Sequence, residues 1–416
     1  MPLIIPLRAN NAYIGLGKQS VSGTAVAPTL FPRWLDGTML QIEMKAEDIW
    51  EGDTTRHLSQ VIKNQQSVSV KLTCYPRPVE MGFLETAALG VGGDSVTPAT
   101  VNTTLSASTS IGATAITVAS NTGLSGSGTI SLVIQPGLGT EEVALFNIPA
   151  TGVGPYTLTV NSGYNSGALK TAHTNSSVVQ SATTHTITDQ YDGNYYTLEV
   201  GLGSLNGGAG TSFRVRDCKV ETIKRSSKAG MLLQYEVDFI GIASTTVSPA
   251  TVTLENHQPF YFVTGTWTLD GSTSGDAPNV ETFDITQKNA LDTTIQTEQL
   301  NLAATIFGQL TCEVQYEVVF QNANRIFQTY YGSTSGTADA QAIGTGALSL
   351  IFAQVDGFHT VTYVVPTIHY TKIGFPAPKA DGKHFKLAVT GSSVSNQGAN
   401  TFVVESIVQN TQTAAY

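Results

Sequence analysis

Residues 67–90 alternate between apolar and polar side chains and then change to a helical spacing. The alternation predicts a β-strand with one face on a core and the other in water. The residues on the inward face are Val68, Val70, Leu72 and Cys74. Pro76 and Pro78 end this strand, and Pro78 can also begin a helix, because a first helical residue needs no N–H donor. From Val79 to Gly90 the apolar spacing is helical, so the segment predicts a strand, a turn and a short amphipathic helix.

The same unit occurs a second time, at residues 309–332. Moving Gly90 onto Gly332 requires a shift of 332 − 90 = 242 residues. That shift places the four inward residues of the first strand on Leu310, Cys312, Val314 and Tyr316. The helical stripe that follows is Ile326, Phe327, Tyr330 and Tyr331, and Gly332 is expected to end the helix. The two segments share the same succession of apolar and polar positions, although few of their residues are identical.

A second set of matching segments requires a different shift, of 150 residues. The earlier members are Val215, Cys218, Val220, Tyr235, Val237, Phe239 and Gly241. Their counterparts are Val365, Ile368, Tyr370, Phe385, Leu387, Val389 and Gly391. The two shifts differ by 242 − 150 = 92, so a duplicated chain needs about ninety extra residues in its first copy. A stretch of that length, rich in Gly, Ser and Thr, lies between Gly90 and Tyr196.

These patterns predict an all-β protein in which two copies of one sandwich or barrel domain, each with one short flanking helix, follow each other. Residues 1–92 and 185–245 form the first domain, 93–184 an insert, 246–258 a linker, 259–392 the second domain, and 393–416 an extension. The insert reads as a small β-sandwich or barrel, because its short apolar bursts are separated by turn residues. The extension is expected to add an edge strand through Phe402–Val408 or to pack on a neighbouring molecule.

Composition limits the possible partners. Charged residues make up 12% of the 416, with 31 acidic and 21 basic residues and a net charge of −10. This balance argues against a protein that grips nucleic acid, which requires Lys and Arg on phosphates. It is compatible with a wall past which nucleic acid slides. The three cysteines, Cys74, Cys218 and Cys312, are expected to be buried free thiols of a protein made in a reducing cytoplasm. Without an export signal or a run of about 20 apolar residues, no membrane association is expected.

Two polar stretches, Lys45–Gln66 and Thr286–Gly308, separate strands that are expected to pair. Connections of this length are usually functional or disordered. We interpret them as arms that contact a neighbouring subunit, with a mobile surface loop as the alternative. The contact residues proposed for these arms are Trp50, Arg56, His57, Leu291, Ile295 and Leu300.

Residue patterns that carry chemistry are missing from the sequence. None of the seven histidines falls in a zinc-binding spacing. The adjacent pair Glu141 and Glu142 is interpreted as a solvated edge of the insert. Gly17 and Lys18 do not complete a phosphate-binding loop, because Gln19 stands where Ser or Thr is required. We therefore expect no catalytic, cofactor-binding or metal-binding residues, no cofactor, and no enzymatic activity.

Three runs in the chain resemble bacteriophage tail tube (major tail) proteins of long-tailed phages. They are SGTAVAPTLFPRWLDG, EGDTTRHLSQVIKNQQSVSVKLTCYPRPVEMGFLETAALG and FRVRDCKVETIKRSSKAGMLLQYEVDFIGI. The resemblance implies a sandwich-like β domain with a flanking helix as the ring-forming unit. With a duplicated domain, it implies homotrimeric rings that imitate a hexamer and stack into a hollow tube. The insert resembles Ig-like β modules that such proteins carry on the outer surface.

The same resemblance implies partners and a location. The partners would be further copies of this chain, together with the tape measure, tail terminator and distal tail proteins. Genomic DNA would pass through the lumen without specific binding, and the protein would belong to the virion tail after assembly in the host cytoplasm. Two alternatives remain: an S-layer-like cell-surface protein, and a decoration or receptor-binding protein of a virion in which the insert carries the function.

Overall fold

The computed structural model describes most of the chain. It covers residues 12–49, 60–90, 92–124, 127–137, 139–149, 156–202, 210–294, 304–320, 323–333, 335–336, 344–354, 356–374, 385–395 and 402–416. Within these ranges the chain is built from antiparallel β-strands and two α-helices, so the predicted all-β class is confirmed. None of the helices described is long and apolar enough to cross a membrane.

The first fifteen strands come in three runs along the chain, and the middle run forms a sheet of its own. The first run and its helix are β1 (Ala12–Lys18), β2 (Met39–Ile49), β3 (Gln60–Cys74), α1 (Pro78–Leu89) and β4 (Asp94–Thr97). The second run is β5 (Asn102–Thr104), β6 (Ala115–Val118), β7 (Gly128–Ile134), β8 (Glu142–Ile148), β9 (Tyr156–Val160) and β10 (Val178–Gln180). The third run is β11 (Thr183–Thr188), β12 (Tyr196–Leu202), β13 (Thr211–Lys228), β14 (Gln234–Gly241) and β15 (Ala243–Val247).

The rest of the chain contains nine strands and the second helix among its described residues. They are β16 (Gly265–Leu269), β17 (Val280–Lys288), β18 (Asp292–Thr294), β19 (Ala304–Ile306), β20 (Thr311–Val319), α2 (Asn324–Tyr331), β21 (Thr345–Ala353), β22 (Thr360–Gly374), β23 (Lys386–Ser393) and β24 (Glu405–Asn410). We refer to residues 12–97 with 183–247 as the first half, and to residues 265–410 as the second half.

One large sheet runs through both halves in the order β2-β3-β14-β13-β17-β20-β23-β22-β24-β11-β4. It contains two consecutive quartets, β2-β3-β14-β13 and β17-β20-β23-β22. The pairing around them also repeats, because β12 joins β1 to β13 as β21 joins β16 to β22. Strands β13 and β17 join the halves through a ladder from Thr222–Lys288 to Lys228–Thr282.

Each half has a β-bulge at the corresponding place. The β13–β14 ladder shifts between Val220 and Thr222, and the β22–β23 ladder shifts between Tyr370 and Lys372. These positions are 370 − 220 = 150 residues apart, the shift found in the sequence. Bulges increase local twist and bend a strand, so both quartets bend at equivalent points.

The other ladders correct the predicted alignment by two residues. Phe239 lies opposite Val70, and Gly391 lies opposite Val314, which gives shifts of 152 and 244 in place of 150 and 242. The buried residues of β20 are accordingly Cys312, Val314, Tyr316 and Val318. Phe385, which was expected inside, is 52% exposed. A shift of two residues keeps every side chain on the same face of a strand, so alternation alone could not detect it.

Helix α1 is buried on all sides, and the prediction of an amphipathic helix is wrong. Eleven of its twelve residues are buried. The C-terminal segment covers the side that was expected to face water: Tyr416 lies against Gly82, and the Asn410 side chain donates a hydrogen bond to the Pro78 carbonyl. The linker caps the N-terminus of the helix, because its residue Glu255 accepts hydrogen bonds from the backbone N–H groups of Val79 and Glu80 at 3.1 and 3.0 Å.

Glu80 provides a pH-dependent test of this packing. Burial and the neighbouring Glu255 carboxylate raise its pKa to about 8, although Arg77 and Arg33 lower it. The folded state therefore holds a proton that the unfolded state loses near pH 4.5, so stability falls as pH rises from about 4.5 to 8. We expect Glu80→Gln to match the wild type at pH 4.5 and to exceed it by about 2 kcal/mol at pH 8 in urea unfolding. A difference that does not change with pH would contradict this assignment.

Helix α2 shows a different departure from its predicted stripe. Phe327 and Tyr330 are 36% and 64% exposed, while the buried residues are Arg325 and Gln328. The Arg325 guanidinium donates to the carboxylates of Asp270 and Asp276, and to the side chain of Gln328 at 2.8 Å. An ion pair thus selects the inward face of this short helix, and its aromatic side chains remain on the surface.

The C-terminal strand β24 lies inside the large sheet, where β22 and β11 flank it. The prediction of an edge strand is therefore wrong. Side-chain alternation identified the strand, but the position of a strand in a sheet depends on which edges the rest of the chain leaves open. Strand β11 pairs on its other side with β4, so both chain ends of the inserted segment are held in the large sheet.

The inserted segment forms a separate six-stranded sheet in the order β5-β10-β7-β8-β9-β6. It has its own core, with Leu132, Ile134, Phe146 and Leu158 among its fully buried residues. Strands β4 and β11, which the prediction assigned in part to the insert, pair in the large sheet instead. We call residues 98–182 the insert from here on.

A buried ion pair lies at the junction between the halves. Arg225 of β13 donates to both carboxylate oxygens of Glu85 on helix α1, at 2.8 and 2.6 Å, and neither side chain is exposed. Glu85 also accepts from Ser406 of β24 at 2.8 Å, and from the hydroxyl of Tyr235. Tyr235 in turn contacts the hydroxyl of Tyr363 on β22. Buried charges require such partners, so the cluster holds α1 and both quartets in one arrangement.

Candidate assembly surfaces

The hairpin of β2 and β3 extends beyond the sheet from which it starts. Strand β14 pairs with β3 only from Val68 to Cys74, whereas β2 remains paired with β3 as far as Ile49 and Gln60. The outer part of this hairpin has only two strands among the described residues. We call residues 45–66 the first arm. Two-stranded hairpins are marginally stable in water, so the first arm is suited to docking on another surface.

A second arm, residues 286–308, occupies the corresponding place between β17 and β20. Strands β18 and β19 pair within it as a small two-stranded sheet. Its base is anchored, because the Asn289 amide donates to the Ala88 carbonyl at 2.9 Å and the Leu291 N–H donates to the Glu221 carboxylate at 2.8 Å. The second arm therefore has a fixed attachment to helix α1 and to β13.

The predicted contact residues of the arms are only partly within the described structure. Leu291 is half-buried at the base of the second arm. The residues outside the described ranges are Trp50, Arg56, His57, Ile295 and Leu300. Both stretches contain paired β-structure, which the sequence analysis did not predict. A ribbon of two strands has no core to select an apolar face, so its sequence need not alternate.

Edge strand β2 exposes an apolar side chain at a position whose counterpart in β17 is buried. Ile42 faces the core side of the sheet and is 43% exposed. The corresponding residue of β17, Gln287, is 1% exposed because β13 pairs alongside it. No described strand pairs with β2 on that side. An unpaired edge with an apolar residue is a template for strand addition.

The end of strand β22 also has one edge that pairs with no described strand. Beyond His369, where β21 ends, no strand of the described chain pairs with β22 on the side opposite β23. In the first half, the same stretch of β13 pairs with β17. The free edge comprises residues 371–374.

The outer face of the two quartets carries alternating charges. Its carboxylates within the described chain are Glu236, Asp238, Glu281, Asp284, Glu313 and Glu317. Its lysines are Lys71, Lys224, Lys228, Lys288, Lys372 and Lys386. Several form ion pairs, including Lys71 with Glu236 at 3.3 Å and Lys224 with Asp284 at 2.6 Å. Acidic and basic side chains are thus interspersed on the described part of this face.

A comparison with protein families shows the family of this chain. A sequence model of the family described as phage tail tube protein matches residues 9–384, which include the first quartet, both arms, the insert and all of the second quartet except β23. The chain belongs to the phage tail tube family. The predicted resemblance is confirmed, and with it the assignment to a structural component of the virion tail. No curated protein matches the chain.

Membership of the tail tube family fits a structural protein that assembles with further copies of itself.

One prediction about the insert is wrong: the pair Glu141 and Glu142 is not a solvated edge. Glu142 is buried, where it accepts hydrogen bonds from Tyr164 at 2.7 Å and from the backbone N–H of Lys170 at 2.6 Å, and pairs with His173 at 3.0 Å. These partners lie 22 to 31 residues away, so no local pattern around Glu142 could reveal the contact.

Proposed function

We propose that this tail tube protein forms rings of three subunits, which stack into the hollow tube through which the phage genome is delivered. Each subunit would contribute two equivalent units, so that a ring contains six. The observation that carries the proposal is the order of the large sheet, in which two quartets with the same strand pairing lie side by side.

Duplication of one ancestral unit accounts for this order. Seven strands of the first half have counterparts with the same pairing in the second. The correspondences are β1 to β16, β2 to β17, β3 to β20, β12 to β21, β13 to β22, β14 to β23, and β15 to β24. The bulges 150 residues apart add a local feature that pairing order alone does not require. The insert then accounts for the unequal spacing of the two copies.

The junction inside the subunit provides the template for the contact between subunits. Within the chain, β13 pairs with β17. Replacing each strand by its counterpart pairs β22 of one subunit with β2 of the next. Neither edge pairs with a further strand of the described chain, and a heterologous contact of this kind closes into a ring when the rotation permits.

The register of this contact follows from the internal ladder. Thr222, Ile223 and Lys224 lie opposite Lys288, Gln287 and Thr286. The counterparts of the first three residues lie 150 positions later, on β22. The counterparts of the second three lie 245 positions earlier, on β2, because Leu40 of β2 corresponds to Ile285 of β17. These shifts place Lys372 opposite Glu43, Ile373 opposite Ile42, and Gly374 opposite Gln41. The contact would cover the exposed Ile42 with another isoleucine.

The outer face of the quartets is the surface proposed to line the lumen. It is continuous across the β13–β17 junction, and the same β22–β2 contact would continue it around the ring. With six carboxylates and six lysines in its described part, this wall would not hold DNA by phosphate neutralisation. The arms, which leave the sheet as two-stranded ribbons, would reach the adjacent ring and join the stack.

A single substitution at the edge of β2 tests the ring contact. We expect Ile42→Lys to leave the subunit folded, because Ile42 is already exposed, and to abolish rings and tubes, because an inward-pointing lysine at a strand edge opposes pairing. Negative-stain electron microscopy of the purified chain would score hollow tubes, and circular dichroism would confirm folding. Ile351→Lys is the matched control, since Ile351 is 38% exposed on β21 and lies outside the proposed contact.

Tubes formed by Ile42→Lys at the wild-type yield would overturn the proposed contact between subunits. Discrete particles from the wild-type chain itself, at high concentration, would overturn the tube.

A further inference from the structure

Three parts of the chain that are distant in sequence meet at one cluster of metal-ligating side chains. Glu141 comes from the turn between β7 and β8 of the insert, His257 from the segment between β15 and β16, and His359 from the turn before β22. One ligand atom from each lies within 4.8 Å of the other two. The two imidazole rings have centroids 4.5 Å apart.

Both histidines are oriented through the same ring nitrogen. Glu255 accepts a hydrogen bond from Nδ1 of His257 at 2.6 Å, and Asp356 accepts one from Nδ1 of His359 at 2.9 Å. A neutral histidine that donates from Nδ1 to a carboxylate carries its lone pair on Nε2, and this arrangement is common for histidine ligands of zinc. Binding of a metal would displace the proton that Nε2 of His257 shares with Glu141.

His359 provides an independent observation that points to a ligand. Its side chain is fully buried, and its Nε2 has no hydrogen-bond partner. Burying a polar atom without a partner is unfavourable. Burial opposes a charge on His257, but hydrogen bonds to Glu141 and Glu255 outweigh it and raise the pKa of His257 to about 10. An ion pair thus accounts for His257 without any ligand, whereas nothing in the described structure accounts for Nε2 of His359.

We propose that Nε2 of His257, Nε2 of His359 and the carboxylate of Glu141 bind one divalent transition-metal ion, with Zn²⁺ the best match to these donors. Two imidazoles and a carboxylate form a three-ligand set that zinc accepts, with water as the fourth ligand. The ligand atoms need only small movements to reach coordination distance. This proposal concerns a site within one subunit and does not depend on tube assembly.

The metal would fasten the insert to the second half of the chain. The insert already contacts this region where the Ser131 hydroxyl donates to the Asp356 carbonyl at 3.1 Å. Strands β4 and β11 also hold it, because they bracket it in the large sheet. Glu141 already pairs with His257, and coordination would tie both residues to His359 and hold the insert in one orientation on the body.

Titration of the purified, metal-free full-length chain with Zn²⁺ in a calorimeter tests the site. We expect one equivalent to bind and the melting temperature to rise with Zn²⁺ concentration. Co²⁺ should bind in its place and give the visible absorption of a low-coordinate site. Glu141→Gln, in the turn between β7 and β8, should abolish the Co²⁺ signal and the shift in melting temperature, while circular dichroism confirms that the variant folds.

Two further variants separate direct ligands from general effects. Asp356→Asn should weaken Zn²⁺ binding by roughly ten- to a hundredfold, because it weakens the hydrogen bond that orients His359. His369→Ala is the matched control, since His369 lies on β22 outside the cluster, and it should bind Zn²⁺ as the wild type does. Failure of the wild type to bind one equivalent, or an unchanged Co²⁺ signal in Glu141→Gln, would overturn the proposal.

Discussion

Shortening the first arm should leave a folded subunit that no longer forms tubes. The variant replaces residues 46–64 by Asn-Gly, so that a two-residue turn joins Lys45 to Gln65, which lie opposite each other in the hairpin. The quartet should stay intact, because β14 pairs with β3 only from Val68 onward. Electron microscopy should show rings or single subunits in place of tubes, and circular dichroism should show that the strand signal is retained.

The matched control removes a similar connection from the insert. Replacing residues 150–155, between β8 and β9, by Asn-Gly also shortens a hairpin, but the insert is proposed to lie outside the tube. Tubes should form from this control at the wild-type yield. Tubes of normal length from the arm variant would rule out stacking through the first arm, whereas loss of tubes from both variants would show that any shortened hairpin prevents assembly.

Removing the buried cation at the junction of the halves should cost about 3–5 kcal/mol of unfolding free energy. Arg225→Met keeps much of the side-chain volume but leaves the Glu85 carboxylate buried without a countercharge. The same change deprives the hydrogen-bonded cluster that reaches Tyr363 of its only cation within the described structure. Urea unfolding of the soluble subunit should show a lower midpoint, because the linear extrapolation reports the lost stability directly.

The neighbouring residue is the control for this prediction. Lys224 pairs with Asp284 across the same β13–β17 junction at 2.6 Å, but its side chain is 38% exposed. Exposed ion pairs contribute about 0–1 kcal/mol, so Lys224→Met should barely change the midpoint. A cost below about 1 kcal/mol for Arg225→Met would mean that the buried cluster does not hold the halves together.

Much of the fold could be predicted from side-chain alternation alone. The inward residues of β3 and β13 were identified because each of these strands packs one face on a core, which requires a period of two. The two-residue correction at β20 and β23 could not be predicted, because a ladder may shift by an even number without turning any side chain over. Phe385 is the visible consequence, since it lies outside the core that its hydrophobicity suggested.

The features that sequence could not reveal depend on contacts between distant segments. Arg325 turns the polar face of α2 inward only because Asp270 and Asp276, about fifty residues earlier, meet it there. The cluster of Glu141, His257 and His359 likewise has no spacing motif, because its members come from three separate parts of the fold. The arms were found as long polar stretches, but their strands were missed because a two-stranded ribbon selects no apolar face.

The closure of α1 by the C-terminal segment has a consequence for biosynthesis. Asn410 bonds to Pro78, 332 residues earlier in the chain, and β24 must enter the sheet before the first half is complete. A ribosome would therefore carry a nascent chain whose first helix stays partly in water until residue 410 has been translated and released from the exit tunnel. Such late, distant contacts slow folding. In the proposed assembly they would also delay the moment at which a subunit can join a ring, and so keep unfinished chains out of the tube.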